Sequence, residues 1–206
     1  MLQNVSEPSS ARVAEKGSSR EPAEPEFSEG PVGLGKALKL SPANMISLSG
    51  FKSPDPMELT VSFWVKISKA GFLCSIQNPG GVEEGEFGIS FIVQENSDLV
   101  VTAKIGSSKW VGGAVPTDLL SGGWHHFAVV VTPDPNGTTT KQLIVSIDGE
   151  SCFEAELDGV GPEQFIIFLG SSLSEYWMEN KGLGATCEID ELLIVGKALT
   201  EPNQPL

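Results

Sequence analysis

The stretch ELTVSFWVKIS, residues 58–68, decides how this chain is read. Leu59, Val61, Phe63, Val65 and Ile67 fall on one side of an extended chain, and Thr60, Ser62, Trp64, Lys66 and Ser68 on the other. Successive strand side chains point to opposite faces, so a period of two sustained over ten residues predicts a strand with one buried face. The same texture recurs on both sides of it, in KALKLS, MISLS, GFLCSIQ, EFGISFIVQ, DLVVTAKI, HHFAVVVT, KQLIVSID, CFEAEL, FIIFLG and CEIDELLIV. The turn clusters NPGG, PDPNG, DGES and DGVGP separate these runs, and Asp148-Gly149 is a tight hairpin signal. No segment carries an apolar stripe at helical spacing. About ten or eleven short strands at regular spacing predict an all-β chain, an antiparallel two-sheet jelly-roll sandwich. FAVVV and FIIFL are apolar on both faces, which places them centrally and covered on both sides.

The 206 residues are enough for one domain, and 40% hydrophobic with 19% charged is a globular composition. Residues 1–32 differ: they are rich in Ser, Glu and Pro and lack periodic apolar positions, so they are expected to form a disordered or extended N-terminal tail or linker ahead of a domain spanning 33–206. The start has no apolar core of about 7–15 residues, so no secretory signal peptide is expected. No apolar run approaches the roughly 20 residues that cross a bilayer, so membrane insertion is not expected. Asn4-Val5-Ser6 and Asn136-Gly137-Thr138 are formal glycosylation sequons, which matter only in a secretory setting.

The net charge is −14, with six acidic and three basic residues in Met1–Gly30 and only lysines as basic residues beyond. Arginine forks and clustered cations dominate nucleic-acid and phosphate recognition, so an acidic domain without arginine argues against nucleic acid as partner. GPVGLGKA, residues 30–37, falls short of a phosphate-binding loop: Ala37 replaces the magnesium-binding hydroxyl and no strand precedes it. Cys74, Cys152 and Cys187 form no C-x-x-C pair. An odd count allows one bridge plus one free thiol or three buried thiols, and because all three lie in apolar, strand-like runs the buried thiols are favoured.

Three groups are candidates for a site. Trp110, in SSKWVGG, and Tyr176 with Trp177, in SSLSEYWMENKGLG, are aromatics in loop-like surroundings, suited either to anchoring their loops by packing, the favoured reading, or to stacking on sugars or partner side chains. Glu175 and Glu179 flank the second pair and could contribute to a calcium site, as could Asp55 or Asp98. EIDEL, residues 188–192, places Glu188 and Asp190 on one strand face, with Leu192 and Ile194 following them and Glu191 opposite. Laminarinase-type glycoside hydrolases carry E-x-D-x-E or E-x-D-x-x-E on such a strand. Here neither spacing is completed, because Leu192 or Leu193 stands where the third acid would fall. The paired His125 and His126, after Trp124, alternate across a strand and cannot share one metal. They are expected to be structural, one hydrogen-bonded within the sandwich and the other packed or nearer solvent, with Trp124 in the core.

Several of these runs together resemble one family. ELTVSFWVKIS is similar to an early "f-t-i-s-a-W-v-k" strand, SGGWHHFAVVVT to "g-x-W-H-h-v-A-v-t", KQLIVSIDGE to "l-y-v-D-G", FIIFLGSS to an "l-x-i-G" strand, and CEIDELLIVGKALT to the closing "G-x-I-D-E-v-r-i-y-n-r-A-L-s" of laminin G-like, concanavalin A-like jelly-roll domains. The resemblance covers roughly residues 34–202, in the family's order. Cys187 and Leu193 depart from its usual residues, and Asp190 and Glu191 are the only matched acids, hence the only metal-ligand candidates it supplies. The resemblance implies a non-catalytic module that binds glycan or protein, sometimes with calcium, in an extracellular or cell-surface protein. An alternative is a structural subunit tethered to a larger complex, surface layer or virion through residues 1–32. A glycan-cleaving enzyme is the third reading.

Overall fold

The structure, a computed structural model, describes residues 25–31, 35–42, 44–52, 58–79, 87–106, 109–134, 140–170 and 184–199. In chain order the strands are β1 (Phe27–Glu29), β2 (Lys36–Leu40), β3 (Ile46–Lys52), β4 (Leu59–Lys69), β5 (Gly71–Gln77), β6 (Gly88–Val93), β7 (Leu99–Lys104), β8 (Val111–Val115), β9 (His125–Pro133), β10 (Thr140–Ile147), β11 (Glu150–Asp158), β12 (Gln164–Leu169) and β13 (Thr186–Val195). They form a seven-stranded sheet, β1-β2-β13-β4-β9-β10-β11, facing a six-stranded sheet, β3-β12-β5-β6-β7-β8. Neighbouring strands pair antiparallel throughout both sheets. The chain is an all-β sandwich, and no helix among the described residues is long and apolar enough to cross a membrane.

The period-two strand is the keystone of this arrangement. β4 lies between β13 and β9, with Trp64 opposite Asp190 on one side and His126 on the other. Leu59, Val61, Phe63, Val65 and Ile67 are all buried and face the six-stranded sheet. From that sheet Ile76, Ile89, Phe91, Val101 and Ile167 meet them in one continuous core. Each large side chain fully removed from water contributes on the order of 1.5–3 kcal/mol, and the alternation of β4 lines up five of them.

The opposite side of β4 is covered as well. Thr60 and Ser62, with Ala128 and Val130 of β9, are buried on the outer face of the seven-stranded sheet. Thr60 Oγ1–H donates to the Lys197 carbonyl and Oγ1 accepts from the Leu199 N–H, while the Ala198 N–H donates to Glu58 Oε2. The chain leaving β13 therefore folds back along the start of β4. β9 is central, as its two-faced apolar sequence indicates, and so is β12, between β3 and β5.

Two strands were not legible as strands. β8 is VGGAV, whose glycines carry no alternation, and the segment around it reads as a loop. Its Gly112 is required: a Cβ there would sit 2.5 Å from the Val101 carbonyl oxygen. β1 lies inside the stretch expected to be tail, and pairs Phe27 with Leu38 at the sheet edge. Residues 1–24 lie outside the described residues.

Candidate functional site

The histidine pair is set by the register of β9. His125 stands beside the inward Val65 and His126 beside the outward Trp64. His126 is half-buried, its ring 5.4 Å from the Trp64 ring in an edge-on contact. His125 is buried at the sheet end and is hydrogen-bonded at both ring nitrogens. Nδ1 lies 2.8 Å from Asp148 Oδ2, and Nε2 lies 3.0 Å from Ser121 Oγ. Asp118 Oδ1 is 3.9 Å from Nδ1.

Local chemistry explains why Asp148 is there. Asp148 and Gly149 both have positive φ, 52° and 86°, the conformation of a two-residue hairpin turn between β10 and β11. The turn brings the Asp148 N–H onto the His126 carbonyl. The carboxylate then takes the His126 N–H on Oδ1, at 2.8 Å, and the His125 ring on Oδ2. Ser121 follows from the tight turn at Asp118–Ser121, closed by a 2.7 Å backbone bond. Trp124, expected in the core, is instead half-buried just ahead of β9. It stands among Gly122, Gly123 and Ser121, which are exposed, so the chain there has not yet entered the sandwich.

Trp110 precedes β8 and is 51% exposed. Ala103 pairs with Val111, so Lys104 and Trp110 lie across from one another at one end of the β7–β8 pair. The Lys104 ammonium sits 5.9 Å from the Trp110 ring centroid, a cation–π distance, and Lys104 as a residue is buried. Thr102 stands opposite Gly112, and Gly112 and Ala114 are exposed beside it. The result is an aromatic surface and a cation next to a floor of small residues. Glu175, Tyr176, Trp177 and Glu179 lie outside the described residues, as does Asp55.

Asp190 and Glu191 sit on a β-bulge. Asp190 pairs with Trp64 but Leu193 with Ser62, so β13 carries one extra residue there, and Glu191 has φ of 49°. Asp190 Oδ1 accepts the Glu191 N–H at 2.8 Å. Asp190 Oδ2 is buried with no hydrogen-bond partner and lies against Gly30. Glu191 is exposed. The bulge changes the faces expected from simple alternation: Leu192 and Ile194 pack on the core, and Leu193 joins Glu188 and Asp190 outside. Glu188 Oε2 accepts from Ser28 Oγ–H at 2.7 Å. Among the described residues, no group of three or more His, Cys, Asp and Glu side chains is placed to hold a metal ion.

All three cysteines are free, Cys74 and Cys187 buried and Cys152 half-buried on the edge strand β11. Burial raises the thiol of each above its ordinary value, most for Cys74. A raised thiol carries less thiolate, the form that reacts. The residues that sequence reasoning missed are Ser121, Asp148 and Lys104. Asp148 was visible only as a turn residue, and Ser121 gave no signal beyond preceding His125 by four.

Several solved structures share the fold. Domain 4 of AbnA, an extracellular arabinanase from Geobacillus stearothermophilus in complex with arabinotriose, superposes with a TM-score of 0.59 at 23% identity, over 89% of this chain and 80% of that one. Domains LG4-5 of the mouse laminin alpha1 chain give 0.57 at 17% identity, over 87% of this chain and 48% of that one. The endo-beta-1,4-glucuronan lyase of the fungus Trichoderma reesei gives 0.57 at 13% identity, over 90% of this chain and 93% of that one. At these identities the likeness establishes the fold alone. Comparison with curated proteins finds no match. The profile of one family matches residues 42–203, more than half of the chain and nearly all of the sandwich. The chain belongs to that family, the concanavalin A-like lectin/glucanases superfamily.

Proposed function

We propose that this domain is a recognition module that binds a glycan at the β7–β8 end of the six-stranded sheet, through Trp110, without cleaving it. Membership of the superfamily supports carbohydrate or protein binding. The finer reading is carried by Trp110. A large aromatic left 51% exposed, with a lysine ammonium 5.9 Å from its ring, is poorly explained as packing. Its free face suits the C–H face of a pyranose, and Lys104 can donate to hydroxyl or acidic substituents. Gly112, Ala114 and Thr102 leave room for a ring to lie flat.

A role without glycosidic cleavage is supported by β13. The bulge brings Leu193, not a third carboxylate, to the face of Glu188 and Asp190. Glu188 is engaged by Ser28, and Asp190 caps the bulge. A retaining or inverting mechanism needs a second carboxyl group across the scissile bond.

The test is a glycan array probed with the wild-type domain and with Trp110→Ala, each with and without a calcium chelator. Binding by the wild type is expected, weakened about tenfold or more in the variant, a loss of roughly 1.4 kcal/mol. No binding in either condition overturns the glycan reading. Equal binding by Trp110→Ala removes the site from Trp110, and the chelator arm reports whether a cation takes part.

A further inference from the structure

The structure assigns a second chemistry, distant from Trp110 and independent of glycan binding: we propose that Ser121 is a base-activated nucleophile, acylated by activated esters of small carboxylic acids, with His125 as its general base and Asp148 as the positioning residue. Three distances carry this. Ser121 Oγ is 3.0 Å from His125 Nε2, and His125 Nδ1 is 2.8 Å from Asp148 Oδ2. Asp148 Oδ1 is itself held, at 2.8 Å, by the His126 N–H. The order nucleophile, base, orienter is the constellation that activates a serine hydroxyl.

The tautomer follows from the partners. A carboxylate only accepts, so Nδ1 carries the proton and donates it to Asp148, leaving the Nε2 lone pair to accept the Ser121 O–H. His125 is only 7% exposed, and its ring is held by hydrogen bonds at both nitrogens. Asp148 and, at 3.9 Å, Asp118 face the ring and stabilise the imidazolium formed on proton transfer. Ser121 itself is exposed, so a buried base serves a hydroxyl that solvent-borne reagents can reach. The next residue, Gly122, has φ of 83°, and a Cβ there would meet nothing within 4 Å. The Gly123 N–H, 3.4 Å from Ser121 Oγ, is a donor next to the reacting oxygen.

The reaction balances without a redox partner. Ser121 Oγ adds to the ester carbonyl carbon as its proton passes to His125 Nε2. The carbon–oxygen bond to the alcohol breaks, and the leaving alkoxide takes that proton. Water then adds to the acyl-serine carbonyl, giving its proton to Nε2, and Ser121 Oγ leaves with it. Ester and water become acid and alcohol.

The probe is a fluorophosphonate, which forms an O–P bond to the serine as fluoride leaves, read by intact mass and peptide mapping; p-nitrophenyl acetate hydrolysis is followed in parallel. One adduct at Ser121 is expected in the wild type and none in Ser121→Ala. Asp148→Asn removes the charge that orients His125, and labelling at least about 100-fold slower is expected, within the usual contribution of a positioned base. Thermal melts of both variants separate this from loss of fold. Folded wild type that shows no adduct at Ser121 overturns the proposal, as does a folded Asp148→Asn labelled at the wild-type rate. If Asp148→Asn does not fold, the wild type measured against Ser121→Ala decides alone.

Discussion

The thiols show how one buried residue sets a pH limit on the whole fold. Cys187 points into the core from β13, and burial, with the neighbouring Glu188 charge, pushes it from 9.0 up to about 12. Cys74, on β5, is raised further by burial and by Cys187. The folded state therefore keeps protons that the unfolded chain releases near pH 9. Stability from these groups is fully present below about pH 9 and is lost as pH rises from there toward 12. Each such thiol contributes a slope of at most about 1.4 kcal/mol per pH unit. Urea unfolding at pH 8 and at pH 10.5 is expected to show a larger alkaline loss in the wild type than in the Cys74→Ala/Cys187→Ala double variant. Every other group is common to the two proteins, so the difference isolates the thiols; an equal loss would show that they do not carry the effect. At this scale the sequence was a good guide to burial for Cys74 and Cys187 and a poor one for Trp124. Position within an apolar run says nothing about where the run enters the sandwich.

At the scale of elements, legibility tracked periodicity. β4 was plain because ten residues alternate without interruption, whereas β13 misled because its alternation contains a bulge. Nothing in CEIDELLIV announces that Glu191 takes a left-handed conformation. Glutamate is not a residue that favours positive φ, so its conformation there is strained. The Asp190 side chain, bonded to the Glu191 N–H, is part of what holds it. Glu191→Gly is expected to leave stability unchanged or raise it by up to about 1 kcal/mol, since glycine takes this φ freely. Glu191→Val is expected to cost more than about 1 kcal/mol, because a β-branched side chain is a genuine outlier at positive φ. Denaturant midpoints of the two variants check this, and a valine as stable as the glycine would mean that the bulge relaxes. The triad-like contact was hidden for a related reason. Ser121, His125 and Asp148 meet only because the β10–β11 turn folds against the start of β9, a pairing that the sequence specifies through register rather than through any local motif.

For the molecule as a whole, the question is what makes two sheets one cooperative unit. Phe127 is the point of contact. From β9 its ring lies 5.2 Å from Phe63 on β4, in its own sheet, and 5.1 Å from Phe91 on β6, in the facing sheet, edge-on at 77°. Phe51 and Phe165 also stack, at 5.3 Å, but both belong to the six-stranded sheet and Phe51 is on its edge strand β3. All three rings of the first cluster are fully buried, whereas Phe51 is half-buried. Truncating Phe127 removes two aromatic contacts and leaves a cavity bounded by both sheets, which neither can fill without moving the other. Phe127→Ala is therefore expected to cost about 3–5 kcal/mol, a large part of a typical domain's 5–15 kcal/mol. Phe51→Ala should cost clearly less, because an edge strand can shift and solvent already reaches the ring. Equilibrium unfolding of the two variants, followed by tryptophan fluorescence and by far-ultraviolet circular dichroism, measures both the cost and the coincidence of the transitions. Equal costs for the two truncations would falsify the keystone role of Phe127. Separate transitions in Phe127→Ala, with a single one in the wild type, would show that this side chain is what couples the sheets.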